Sequence, residues 1–268
     1  MTDILQDFST PAIISAIESN FYAQQRIFAS LPDIEQHDEP DVTWSSSSRP
    51  LSMFNKVLNI RFTADEADAK IDTLLAHFQS HSRRALWWIG PGTQPTDLGR
   101  RLVRRGLTEV VKAPGMALNL QKLNEDVPVR PDLVIEPVKD LKTLRKWTSV
   151  YMVSFDFSVS EIKAFFETYA HCFAEQFPMR HYIGWLNRKP VATATLFLSN
   201  GVAGLYNVGT HPATRVRGIG RTISLATLRE ARSMGYRMSI LQSTSMGFHL
   251  YRQLGFQEHC TISGYMMY

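Results

Sequence analysis

The chain has 268 residues, of which 44% are hydrophobic and 20% charged, with a formal net charge of +4. That length is about twice the commonest domain size of roughly 100–150 residues, so two domains are expected, and the apolar share excludes global disorder and low-complexity architectures. The charge is uneven: residues 1–130 hold 14 Lys/Arg against 16 Asp/Glu, a net of −2, and residues 131–268 hold 15 against 9, a net of +6.

Residues 1–30 carry apolar positions at helical spacing, with Ile13, Ile14, Ile17, Phe21 and Ile27 expected to face a core. Residues 31–50, richer in Pro, Asp, Glu and Ser, predict a loop with at most a short strand at 42–44. A strand is expected over 54–62, then a helix over 65–79 begun by Thr63 with Glu66 three positions on, the pattern of a capping box. Residues 86–89 read as a strand, 96–105 as a helix stopped by Gly106, and 110–120 as strand. Residues 121–131, with two prolines, are the expected linker, giving domains 1–125 and 131–268.

The second half predicts a strand at 133–138, helices at 141–153 and 159–172, and a hairpin of 182–186 with 191–198 around Asn187, Arg188 and Lys189. A strand at 202–210, a helix at 218–234 ended by Gly235, a strand at 238–242, a helix at 246–254 and strands at 257–260 and 265–267 follow. The fold class is mixed α/β (α+β), and the strand at 238–242, lying between two helices, is expected to run parallel to its neighbour. Placing Gly106 on Gly255 also pairs Leu107 with Phe256, Glu109 with Glu258, Gly115 with Gly264 and Met116 with Tyr265. A duplication and a chance similarity between two α/β domains both account for this faint repeat.

The two cysteines, Cys172 and Cys260, lie outside any CxxC pair, so no disulfide framework and no metal site is expected, and a reducing compartment fits. Asp3 and Asp7 stand where a secretory signal carries bases, and no apolar run approaches the ~18 residues of a membrane span, which predicts a soluble, cytoplasmic protein with no membrane partner. Nothing in the sequence fixes the oligomeric state. Of the 15 bases in the second half, 7 lie between Arg215 and Arg252, a local anion site rather than the basic stripe of a nucleic-acid binder.

The segment that carries chemistry is Tyr206-Asn207-Val208-Gly209-Thr210, then Arg215-Val216-Arg217-Gly218-Ile219-Gly220-Arg221, then a long helix. Glycines at 218 and 220 remove side chains where a strand–loop–helix turn would aim backbone N–H groups at a phosphate, and the helix N-terminus adds partial positive charge. Three arginines at that end oppose the helix dipole unless an anion is bound. The segment is neither a P-loop, lacking GK[ST], nor a dinucleotide fingerprint.

Arg215-x-x-Gly218-x-Gly220 resembles the acetyl-CoA signature (Q/R-x-x-G-x-G/A) of the GNAT superfamily of N-acetyltransferases. Leu250-Tyr251-Arg252-Gln253-Leu254-Gly255-Phe256 resembles that superfamily's Leu-Tyr-x-x-Leu-Gly-Phe element. The resemblance covers the second half, and implies a mostly antiparallel sheet flanked by helices. The first half joins it only through the faint repeat, as a degenerate tandem copy.

The resemblance implies that acetyl-CoA is the co-substrate, with its pyrophosphate cradled by residues 216–221 and by Arg215. Val208, Gly209 and Thr210 would run beside the pantetheine and acetyl group, with the Val208 N–H polarising the acetyl carbonyl. Tyr251 falls where the family often has a general acid for the departing thiolate; the alternative is a ring packed in the core with its hydroxyl satisfied. The sequence departs from the family at Ser243-Thr244-Ser245, where an Asn commonly opens the last helix; Ser245 is a candidate contact to the pantetheine arm.

No general base is assigned, since His211 and His249 read as surface or structural residues. Tyr151, Phe155, Phe157 and Tyr206 are candidate acceptor-pocket residues and equally candidate core. In the first half, the helix begun by Asp65, Glu66 and Asp68 without glycine would repel phosphate, and Leu102 stands opposite Tyr251. The implied function is N-acetyl transfer to a small-molecule or peptide amine by direct attack in a ternary complex. The competing function is a non-catalytic acyl-CoA sensor.

Overall fold

The computed structural model describes residues 4–31, 33–49, 52–174 and 178–267. In chain order it contains α1 (Thr10–Gln25), β1 (Ile34–Asp38), β2 (Thr43–Ser47), β3 (Lys56–Leu58), α2 (Ala67–Ser80), β4 (Leu86–Ile89), α3 (Leu98–Arg104) and β5 (Leu107–Asn119). Then come β6 (Leu133–Pro137), α4 (Leu141–Val153), α5 (Val159–Ala174), β7 (Met179–Leu186), β8 (Lys189–Ser199), β9 (Val202–Thr210), α6 (Ile219–Ser233), β10 (Met238–Gln242), α7 (Ser245–Leu254) and β11 (Gln257–Met267). The fold is mixed α/β with a largely antiparallel arrangement of strands flanked by helices.

The chain divides into two compact units, one of residues 4–24 and 115–259 and the other of residues 25–114 and 260–267. The division does not fall at residues 121–131. That segment lies inside the first unit, where the Asn124 N–H donates to the Leu254 carbonyl at 3.1 Å and Glu125 pairs with Arg229 and Arg232 at 2.6 and 2.5 Å. The first helix belongs to the same unit: Ile13, Ile17 and Phe21 are buried, Ile14 is half-buried, and Asn20 Nδ2 donates to the Ser199 carbonyl at 2.9 Å.

In this first unit the end of β5, then β10, β9, β8, β7 and β6 lie side by side. Among the described residues of this unit only the β9–β10 pair is parallel, as the helix-flanked position of 238–242 predicts. Asn187 and Arg188 both take positive φ (50° and 62°), so the hairpin turns on two residues and Lys189 already belongs to β8. α6 lays Ile219, Ile223 and Leu228 against Leu196, Leu205 and Leu241, and Leu254 and Phe256 join the same core. Each such fully buried side chain contributes about 1.5–3 kcal/mol.

In the second unit the order is β1, β2, β3, β4, β11, β5, with β3 and β4 parallel. The loop expected over 31–50 contains two strands. Of β1 only Ile34 is buried, so its sequence Ile-Glu-Gln-His-Asp carries little strand signal. The strand expected over 54–62 is cut to three residues, since Phe54 belongs to a 3-10 turn before it and Asn59 takes φ 53° after it. The expected capping box does not form: the Thr63 hydroxyl donates to the Glu66 carboxylate at 3.0 Å and accepts the Glu66 N–H at 3.4 Å, but the helix starts at Ala67 with Glu66 as its N-cap. The two strands expected at the C-terminus are one, β11. Gly264 sits mid-strand because a Cβ there would lie 3.2 Å from Leu86, Trp88 and Val111.

Gly106 and Gly255 end α3 and α7 in the same way, with φ of 87° and 102°, and each is followed by an apolar residue only 1% exposed, Leu107 and Phe256.

Lys56 is 3% exposed; its ammonium donates to the Gln25 carbonyl and lies 5.6 Å from the Phe28 ring centroid. Burial pulls its pKa down to about 7. An unfolded lysine titrates near 10.5, so the contribution of this site to stability is largest above that pH, falls as the pH drops toward 7 and is constant below. Lys56→Met removes the desolvation cost along with one hydrogen bond. It is expected to raise the free energy of urea unfolding at pH 7 by about 2 kcal/mol and to flatten the pH dependence between 7 and 10.5.

Candidate active site

β9 loses its neighbours on both sides near its C-terminal end. It pairs with β10 only at Ala203 and Gly204. Toward β8 the register runs Thr195 with Tyr206 and then Thr193 with Gly209, so two residues, Asn207 and Val208, oppose one and form a bulge. Asn207 takes φ 51°, a conformation asparagine tolerates better than most residues. The Thr193 hydroxyl donates to the Asn207 carbonyl at 2.8 Å and accepts the Gly209 N–H at 3.2 Å. Asn207 Nδ2 donates to the Tyr169 hydroxyl at 3.1 Å. Val208 is left without a register partner in either neighbouring strand.

Beyond β9, Pro212–Thr214 form a 3-10 turn in which His211 Nδ1 accepts the Ala213 N–H at 3.3 Å. Val216, fully exposed, takes φ 59°, and Gly218 takes φ 75° as the residue before α6. The first helical N–H to find a carbonyl is that of Thr222, which donates to Gly218. Among the described residues the six N–H groups of residues 216–221 donate to no protein acceptor. Exposed amides on alternating left-handed residues at a helix N-terminus form an anion-binding concavity. At Gly220 a Cβ would sit 3.3 Å from Thr210 Oγ1 and 3.4 Å from Leu250 Cδ1, so the loop, β9 and α7 meet at that residue. Ile219 is buried and anchors the helix start.

The three arginines differ. Arg215 donates to the carbonyls of Ser154 (2.6 Å) and Thr210 (3.3 Å), and Arg221 to the Pro128 carbonyl (2.7 Å) and Gln253 Oε1 (3.0 Å). Arg217 is exposed and, among the described residues, makes no hydrogen bond or ion pair. The local rule the sequence breaks is thus relieved at two arginines by protein carbonyls and left standing at the third.

Tyr251 is 8% exposed, edge-on to Phe256 with ring centroids 5.7 Å apart. Its ring fills the space where a Cβ on Gly247 would fall 2.8 Å from Cε2. Burial pushes its phenol well above the ordinary value of 10, so it is protonated at neutral pH, and among the described residues its hydroxyl has no hydrogen-bond partner. The ring is therefore core, and its hydroxyl is not engaged by a described residue. α7 is capped by Thr244, whose hydroxyl accepts the Gly247 N–H at 3.2 Å; Ser243 donates to the Thr244 carbonyl at 2.8 Å, and Ser245 is exposed in the first turn.

No acidic residue occurs between positions 202 and 229. His211 caps its turn, and His249 contacts Gln253 at 3.1 Å on the surface. His181, which the sequence reading passed over, lies 4% exposed behind the bulge with Nδ1 2.8 Å from Thr195 Oγ1; burial pulls its pKa down to about 3, so it is neutral. Small hydroxyl residues at 193 and 195 in an otherwise apolar strand were the available signal for this buried polar layer. Of the aromatic candidates, Tyr151 stacks on the buried Trp147 (5.6 Å), and the Tyr206 hydroxyl donates to Asn20 Oδ1 at 2.9 Å. Phe155 and Phe157 are 43% and 38% exposed. Among the described residues of the second unit there is no counterpart: α2 follows Thr63–Glu66 without glycine, and Leu102 is fully buried. Among the described residues no group of three His, Cys, Asp or Glu could hold a metal, and no helix is long and apolar enough to cross a membrane.

Residues 142–256 match the family model of the acetyltransferase (GNAT) family. No curated protein matches in sequence. Among solved structures, a GCN5-related N-acetyltransferase from Kribbella flavida superposes with TM-score 0.71 at 17% identity, over 94% of this chain and 95% of that one. One from Sphaerobacter thermophilus gives 0.63 at 13% identity, over 98% and 94%. A tandem GNAT protein from the clavulanic acid biosynthesis pathway gives 0.61 at 11% identity, over 96% and 94%. At these identities the structures show a shared fold.

Proposed function

We propose that this chain, in which residues 142–256 form a domain of the GNAT acetyltransferase family, transfers an acetyl group from acetyl-CoA to a primary amine. The observation that carries this is the row of six unpaired N–H groups at residues 216–221, set at the start of α6 beside the interrupted strand β9. These amides and Arg217 hold the pyrophosphate. Val208, Gly209 and Thr210 flank the pantetheine and the thioester, which supplies the activated acetyl carbon.

The acceptor nitrogen attacks that carbon directly, the C–N bond forms and the C–S bond breaks. The Val208 N–H, free of the sheet ladder, stabilises the charge that develops on the carbonyl oxygen. Tyr251 gives its proton to the departing thiolate, a step that suits a phenol held neutral by burial. The proton shed by the amine goes to water.

Acceptor contacts fall to Phe155 and Phe157, the exposed members of the aromatic group. The N-terminal half, residues 1–125 in the sequence reading, is a degenerate copy; the matched helix ends at Gly106 and Gly255 support this, and its sequence carries neither the glycine loop nor a tyrosine opposite Tyr251. Two cysteines far apart in the sequence and outside any CxxC pair fit a reducing, cytoplasmic setting.

Incubating the full chain with acetyl-CoA and a panel of small and peptide amines should release CoA thiol and form an N-acetylated product with at least one of them. Acetyl-CoA binding without turnover on any amine would favour the sensor function.

A further inference from the structure

The side chain of Arg215 reaches across the site to the end of α4. Its Nη2 donates to the carbonyl of Ser154, the residue that caps α4 at its C-terminus, at 2.6 Å, and its Nε donates to the Thr210 carbonyl at 3.3 Å. A helix C-terminus has carbonyls without intrahelical partners and a partial negative charge, so a guanidinium there makes a charge-assisted bond to a group that needs one. The same residue abuts β9: a Cβ on Gly209 would lie 3.0 Å from Ser154 Oγ and 3.1 Å from its Cβ. Ser154 Oγ in turn donates to the Val150 carbonyl at 2.7 Å.

The chain after Ser154 is a tight turn. Phe155 and Phe157 both donate their N–H to the Met152 carbonyl, at 3.1 and 3.2 Å, and Asp156 between them takes φ 58°. Ser158 and Glu161 then form a capping box that starts α5. The exposed rings of Phe155 and Phe157 are carried on this turn, whose first carbonyl is held by Arg215.

We infer that Arg215 is a positioning residue for the acceptor-side turn 154–158, with its guanidinium bound to Ser154 and Thr210, and that Arg217 is the arginine that meets the cofactor phosphates. Arg215 engages two of its five N–H donors, on Nε and Nη2, with the Thr210 and Ser154 carbonyls, which fixes the direction of its guanidinium, whereas Arg217 is exposed and among the described residues engages none. The inference rests on the acetyltransferase reading only in naming the turn as the acceptor side; the strap itself is independent of turnover.

The test compares Arg215→Met, Arg215→Lys and Arg217→Met in the full chain by three readouts. These are acetyl-CoA affinity by calorimetry, chymotryptic cleavage after Phe155 or Phe157 located by mass spectrometry, and the split of KM and kcat for any amine that is turned over. Arg215→Met should leave acetyl-CoA affinity within about threefold, speed cleavage in the turn about tenfold, and raise the amine KM about tenfold with kcat within about threefold. Arg215→Lys should recover part of the loss, and Arg217→Met should weaken acetyl-CoA about tenfold without changing cleavage. A more than tenfold loss of acetyl-CoA affinity in Arg215→Met, with cleavage at the parental rate, would make Arg215 a phosphate ligand and overturn the inference. If the Met variant does not fold, Arg215→Lys decides: faster cleavage with parental affinity supports the strap, and a parental cleavage rate refutes it. Absence of turnover in the parent chain on every amine counts against the acetyltransferase reading and leaves the cleavage result to stand for the strap.

Discussion

Gly220→Val is expected to weaken acetyl-CoA binding at least about 100-fold, read by calorimetry, while circular dichroism shows a folded chain. A β-carbon at this position already stands 3.3 Å from Thr210 Oγ1 and 3.4 Å from Leu250 Cδ1, so the branched side chain cannot settle back against the protein. It is driven toward the mouth of the loop, where it covers amides that must approach an anion to within hydrogen-bond distance. Gly220→Ala adds only the one carbon, at a separation the Leu250 side chain can relieve, and should cost about tenfold. Parental affinity in the valine variant would mean that the phosphates do not lie on residues 216–221.

Tyr251→Phe should lower kcat about 100-fold and leave acetyl-CoA affinity unchanged, because one positioned proton donor typically contributes 10²–10⁴-fold. The phenyl ring keeps the contacts with Phe256 and Gly247, so the fold is not the variable. The pH dependence has a definite sign. Burial holds the phenol above its ordinary value of 10, so Tyr251 stays protonated throughout the working range. The parent rate should therefore rise with pH as the acceptor ammonium loses its proton and then stay level to about pH 10. An unchanged kcat in the variant, or a parent rate that declines on the alkaline side well below pH 10, would remove the acid role.

Several elements that bury a full face were legible in the sequence to the residue, while β5 and β7 each start three residues before the expected position. Leu86–Ile89, Leu141–Val153, Val202–Thr210 and Met238–Gln242 lie where their apolar patterns place them. Elements whose identity is set by neighbours were not legible. β1 is a polar strand recognised only by its pairing with β2, and Gly264 is a mid-strand glycine dictated by three side chains packed against it. The linker reading of residues 121–131 rested on prolines and charge, whereas ion pairs of Glu125 with two arginines of α6 bring that segment into the first unit.

The site shows the same division. The glycines and the free amides were readable from motif and spacing, because each depends on local backbone conformation, whereas the burial of Tyr251 depends on its packing against Phe256 and Gly247. The division of labour among Arg215, Arg217 and Arg221 was not, since sequence treats three like charges alike. Only the positions of the Ser154, Thr210 and Pro128 carbonyls separate them. The buried layer of His181, Thr193, Thr195 and Asn207 escaped for a related reason: each residue is ordinary alone, and the layer exists only through pairing across β7, β8 and β9.

The measurement closest to the central claim is calorimetric titration of the full chain with acetyl-CoA. One loop of free amides, at residues 216–221, and an acidic, glycine-free helix start in the other half predict a single site with one equivalent bound per chain. Two equivalents per chain would show a second working copy, and no binding at all would contradict the account at its root.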